Sequence, residues 1–231
     1  MTREKEHTSR EFERELSTLR NRLLAMAGRA EQQIERAVES VLRRDDRLAA
    51  DVINEDARID QDELEIDDLA FYILARRQPV ASDLRFLMVV LKVVTDLERI
   101  GDLAVNIAKR ERDLARFDPT PSQPRLEALA DRVRAALQQA LDAFVHSDAE
   151  RAEQVIANDR DIDALNMHLI ADIISAGADD VHAVARSLAL SSVSRYLERV
   201  GDHATNIAEM VIYHVRGRDV RHHGPRRDRD Q

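Results

Sequence analysis

No cysteine occurs in the 231 residues, so disulfides, thiolate metal sites and cysteine nucleophiles are all excluded. Tryptophan is absent too, and aromatic residues make up only 3% of the chain. Any core must therefore be built from leucine, isoleucine, valine and alanine. Glycine and proline are scarce, with 6 and 5 copies. A chain poor in both breakers, 44% hydrophobic and 34% charged, is predicted to be all-α. The N-terminal stretch MTREKEHTSREFERE has no apolar segment and carries no secretory signal. The most apolar stretch, 84–107, is interrupted by Arg85, Lys92, Asp96, Glu98, Arg99 and Asp102. It reads as a buried helix of a cytoplasmic protein, not a membrane span.

Acids outnumber bases 44 to 35, giving a net charge of −9. A nucleic-acid partner calls for a basic face. The only dense basic stretch, Arg216 to Arg229, is diluted by Asp219, Asp228 and Asp230, so no nucleic-acid partner is expected. Membrane association is expected only through partners.

The few breakers divide the chain. Pro119, Pro121 and Pro124 cluster in the middle and cannot all continue a helix. They mark residues 117–124 as a linker between a first unit, 1–116, and a second, 125–215. Residues 216–231 read as a disordered charged tail. Pro79 opens a helix after Gln78. Arg43-Arg-Asp-Asp46 and His146-Ser-Asp148 place bases at a helix end and acids at the next start, as the helix dipole prefers. Gly177 is a C-cap candidate. Six helices result, over 8–43, 46–76, 80–115, 123–146, 149–175 and 179–215.

An internal repeat is the strongest feature. Leu97-Glu-Arg-Ile-Gly-Asp-Leu-Ala-Val-Asn-Ile-Ala108 returns as Leu197-Glu-Arg-Val-Gly-Asp-His-Ala-Thr-Asn-Ile-Ala208, with nine of twelve positions identical. Upstream, Val52-Ile-Asn-Glu-Asp56-Ala-Arg-Ile-Asp60 matches Val155-Ile-Ala-Asn-Asp159-Arg-Asp-Ile-Asp163. The predicted fold is thus two tandem three-helix bundles, duplicates of one unit.

The repeats carry acids at helical spacing. Glu98, Asp102 and Asn106 fall at i, i+4 and i+8, and each step rises about 6 Å and turns about 40°. Asp56 and Asp60 form a matching stripe on the preceding helix, which Glu63 extends. The second unit offers Asp159, Asp163, Glu198, Asp202 and Asn206. Antiparallel neighbours would bring the stripes together. Crowded carboxylates repel, so a hard cation or a guanidinium must compensate. Arg58, Arg99 and Arg199 keep ion pairing open as the alternative to metal. Gly101 and Gly201, mid-helix, point to close helix approach or to room for a ligand, since each costs roughly 1 kcal/mol relative to alanine. The histidines show no recurrent spacing, and His203 is replaced by Leu103 in the first unit. There is no HExxH, phosphate-binding glycine loop or Gly-x-Ser-x-Gly. The chain is read as no enzyme.

Asp96–Ala108 and Tyr196–Ala208, with Gln78-Pro-Val-Ala-Ser-Asp-Leu-Arg85, resemble the signature segments of the PhoU family. The resemblance covers roughly 8–215. It implies two three-helix bundles related by internal pseudo-twofold symmetry. It also implies a multinuclear metal cluster, iron foremost, with zinc, manganese or magnesium as alternatives, that may be absent from a given member. The ligands it implies are Asp56, Asp60, Glu98, Asp102, Asp159, Asp163, Glu198 and Asp202, with Asn106 and Asn206 one turn on. The implied role is negative regulation of phosphate uptake and phosphate-starvation signalling. The implied partners are the ATPase subunit of the phosphate ABC transporter, a phosphate-sensing histidine kinase and a second copy in a homodimer. The competing reading is a metal-dependent enzyme or metal-storage bundle. The second unit departs from the family pattern by lacking a counterpart of Pro79 and Asp83-Leu-Arg85, so the two bundles are expected to present different partner surfaces.

Overall fold

The computed structural model describes residues 2–118, 123–176 and 181–218. Among them are seven helices and no strand: α1 Thr2–Arg43, α2 Asp46–Glu55, α3 Ala57–Arg77, α4 Ala81–Leu114, α5 Gln123–His146, α6 Ala149–Ala176 and α7 Val181–Arg216. Pro119, Pro121 and Gly177 lie outside the described residues, as does the tail from 219 onward. Pro124 sits in the first turn of α5, where its missing N–H costs nothing.

The helices follow from apolar spacing. On α1, Leu19, Leu23, Met26, Ala30, Ile34, Ala37 and Val41 recur every three or four residues, and all are buried. The opposite face is charged. α4 and α7 are the long central pair and pack against each other. α1 and α3 flank α4, while α5 and α6 flank α7. One continuous aliphatic core runs through both units.

The breaks read from charge pattern hold at two equivalent places. Arg44 and Ser147 both adopt positive φ, at 57° and 52°. Asp45 then caps α2, accepting from the Leu48 N–H at 3.0 Å. Asp148 does the same for α6, accepting from the Glu150 and Arg151 N–H groups at 3.1 and 3.0 Å. Gln78, with φ 49°, ends α3.

One expected helix is divided. The span 46–76 is interrupted at Asp56, where the Ile59 N–H turns back to the Asp56 carbonyl at 2.8 Å. Asp56 keeps helical dihedrals, φ −57° and ψ −40°, so the chain tightens there without leaving its course. Asp159, at the equivalent point, lies inside the unbroken α6.

Mid-helix glycines set the distance between neighbours. A Cβ on Gly101 would lie 3.1 Å from Ile59 Cδ1, 3.3 Å from Asp56 Oδ1 and 3.4 Å from Gln33 Oε1. On Gly201 it would meet Ile162 at 3.3 Å. Gly28, on the exposed side of α1, has nothing within 4 Å. Gly28→Ala is therefore expected to stabilise the protein by up to about 1 kcal/mol. Gly101→Val is expected to destabilise it by about 1–3 kcal/mol through overpacking. Urea unfolding midpoints of the two variants check both signs.

Candidate functional site: two acidic faces and the seam between them

Each unit brings its two acidic stripes onto one face. In the first, Asp56 at the α2–α3 junction joins Asp60 and Glu63 of α3, and α4 supplies Glu98 and Asp102. Burial is the main cause that raises the Asp56 carboxyl above its usual range, and the neighbouring charges of Asp60 and Asp102 add to it. Glu63 is raised by burial, then by Asp67 and Asp60, and Glu98 by burial, then by Asp102. In the second unit, burial and then Asp163 raise Asp159. Glu198 is raised by burial, then by Asp163 and Asp159. Asp202 moves furthest, from 3.8 to about 6, through burial and then the charges of Glu198, Asp159 and Asp163.

Guanidinium pairing, the other compensation expected from sequence, is partly realised. Arg99 reaches Glu98 and Asp102, each at 3.3 Å. Among the described residues, no three Asp, Glu or His side chains converge closely enough to hold one metal ion. The donor set is all oxygen, which suits a hard cation. Its spread along two stripes does not suit a single ion.

The two amides at the i+8 positions differ in their surroundings. Asn206 donates to Asp96 Oδ1 on α4 at 3.3 Å, so its side chain is engaged at the seam between units. His203 Nδ1 meets the same oxygen at 2.8 Å. Asn106 is half-buried on α4. The seam contact had a signal in the sequence: His203 stands where the first repeat has Leu103, and Asp96 where the second has Tyr196. Two other differences bear on the acids. Gln33 comes close to Asp56, and its Nε2 donates to the Val52 carbonyl at 3.2 Å. In the second unit the Thr205 hydroxyl donates to Asp159 at 3.2 Å, at the place of Val105. Sequence reasoning assigned neither Gln33 nor Thr205.

A helical protein of two repeated units, each with a carboxylate-lined two-helix face, defines a class. The comparisons give it a family. The family model described as PhoU domain matches residues 23–110 and again 126–211. A phosphate-specific transport system accessory protein PhoU homolog of Pseudomonas putida is 42% identical over 222 residues, 96% of this chain and 87% of that protein. The crystal structure of PhoU from Pseudomonas aeruginosa superposes with a TM-score of 0.86 at 40% identity, covering 90% of this chain and all of that one. The phosphate transport system regulatory protein PhoU from Streptococcus pneumoniae gives 0.84 at 27% identity, covering 90% of this chain and 99% of the other. The chain belongs to the PhoU family.

A pH dependence follows from Asp202. Above pH 6 its carboxyl is ionised in both folded and unfolded chains, and the folded state bears the full repulsion. Between about 6 and 4 the folded state keeps a proton that the unfolded chain releases, so folding gains as pH falls. Below 3.8 both states are protonated and the penalty is gone. Chelator-treated protein is expected to be more stable at pH 5 than at pH 7. Asp202→Asn should be more stable than the parent at pH 7 and should flatten that part of the profile, read by thermal unfolding at each pH.

Proposed function

We propose that this chain is a non-enzymatic negative regulator of phosphate uptake and phosphate-starvation signalling. It would act as an adaptor between the ATPase subunit of a phosphate ABC transporter and a phosphate-sensing histidine kinase. The family relatives described as phosphate-specific transport system accessory proteins support the transport part of this reading. One observation supports the adaptor part. Each unit leaves an apolar patch exposed, and the two patches occupy equivalent positions. Leu64 and Phe71 on α3 correspond to Met167 and Ile174 on α6. Leu84 and Met88 on α4 correspond to Val184 and Leu188 on α7. All eight are 40% to 71% exposed. The positions match, yet every residue differs. Two faces of one design with different side chains suit two partners better than one.

Among the described residues no helix is long and apolar enough to cross a membrane. In this reading, contact with a membrane system goes through its proteins. In the same reading, the acidic faces take a multinuclear cluster, with iron first and zinc, manganese or magnesium as alternatives. Asp56, Asp60, Glu98 and Asp102 would hold it in one unit, and Asp159, Asp163, Glu198 and Asp202 in the other, with Asn106 and Asn206 one turn on. Such a cluster would supply positive charge where the carboxylates now repel. A homodimer belongs to the same proposal.

The test is co-purification of the tagged full chain from cells grown with ample phosphate. The transporter ATPase subunit and the kinase are expected in the eluate. Phe71→Asp and Ile174→Asp, both on exposed positions, are each expected to deplete a different partner by tenfold or more. Recovery of neither partner by the parent chain overturns the adaptor. Metal analysis of the same eluate, with Asp102→Asn and Asp202→Asn alongside, checks the cluster: metal content should fall in each variant.

A further inference from the structure

Glu111 lies in the last turns of α4, only 1% exposed. Neither of its carboxyl oxygens has a hydrogen-bond partner. The fold does not ask for a carboxyl there. The second unit places Val211 at the equivalent position, equally buried. An unpartnered buried carboxyl is unfavourable unless something outside the chain meets it.

A place for that something adjoins it. Glu111 lines a pocket of about 270 Å³ between α2 and α4. Ala49, Ala108 and Glu111 are its buried residues and form the floor, while Ile53 and Asp46 on α2 stand at the wall and the mouth. Neither cation at the rim hydrogen-bonds the carboxyl, although the Arg112 charge partly offsets its raised proton affinity. Arg112 extends into solvent, 77% exposed, and reaches Asp46 at 3.5 Å. The Lys109 charge acts on Asp56. Burial first, and then the charge of Asp46, holds the Glu111 carboxyl above the usual range, so the two acids share one field.

We propose that this pocket binds a short aliphatic amine. Its ammonium is taken up by Glu111, and its methylene stem lies on Ala49, Ile53 and Ala108. A second cationic end would meet Asp46 at the mouth. The pocket favours this over a metal ion for two reasons. No three carboxylates converge there, and Ala49, Ala50, Ile53 and Ala108 line most of the wall, with the Asn54 amide beside them. The volume falls just below the usual range for drug-sized ligands, about 300–1,000 Å³, which suits a small stem. Both carboxyl oxygens are shielded from solvent, so uptake of the ammonium requires the Glu111 side chain to turn toward the pocket. Glu111 and Asp46 belong to neither acidic face.

The experiment measures the thermal unfolding of the full chain against 1,4-diaminobutane, with 1,4-butanediol as the uncharged control. The diamine is expected to raise the midpoint saturably and the diol to leave it unchanged. Glu111→Val copies the second unit and should fold, with a higher midpoint than the parent without ligand. It should lose the diamine response, and Glu111→Gln should weaken the response at least tenfold. Asp102→Asn, on the acidic face, should keep it. No saturable shift in the parent overturns the proposal. So does an equal shift in both Glu111 variants, or a response that follows Asp102 instead.

Discussion

Ile59 seats on Gly101, and Ile162 seats on Gly201. That contact fixes how near α3 comes to α4 and α6 to α7. Without it the acidic stripes would stand a side chain further apart and would titrate as separate surface acids. With it, carboxylates from two helices share one partly desolvated field. The glycines give up helix propensity for that closeness, roughly 1 kcal/mol each relative to alanine. The raised proton affinity of Asp56, Glu98, Asp159, Glu198 and Asp202 is the electrostatic trace of the same approach.

Duplication made the two faces, and later divergence made them unlike. Gln33 attends Asp56, where the second unit has Ala136. Thr205 attends Asp159, where the first has Val105. His203 and Asn206 both turn to Asp96, whose counterpart Tyr196 offers no carboxylate. Around Asp96 the bonds therefore run from α7 to α4. The units are alike in path and different in chemistry, which is the condition under which one protein can serve two unlike partners.

Much of this was legible before any coordinates. Scarce glycine and proline, aliphatic cores at helical spacing and the repeat at Leu97 and Leu197 sufficed for the all-helical, two-unit architecture. The acids of the repeat marked the faces. Three things escaped. The interruption at Asp56 depends on a local tightening that no breaker residue announces. The Asp96–His203 contact joins residues more than a hundred positions apart, and periodicity within one helix is blind to it. Glu111 sits on an apolar stripe as one charged residue among many, and only burial reveals it. The difference from Val211 was present in the sequence, beyond the ends of the matched segment.

α4 spans 34 residues, about 51 Å at the usual helical rise. Its first turns bear Leu84 and Met88, its middle bears Glu98 and Asp102, and its last turns bear Glu111. A helix resists compression along its axis far more than it resists rolling. All three stations therefore sit on one stiff strut. Asp96 ties α7 to that same strut through His203 and Asn206, so both units share it.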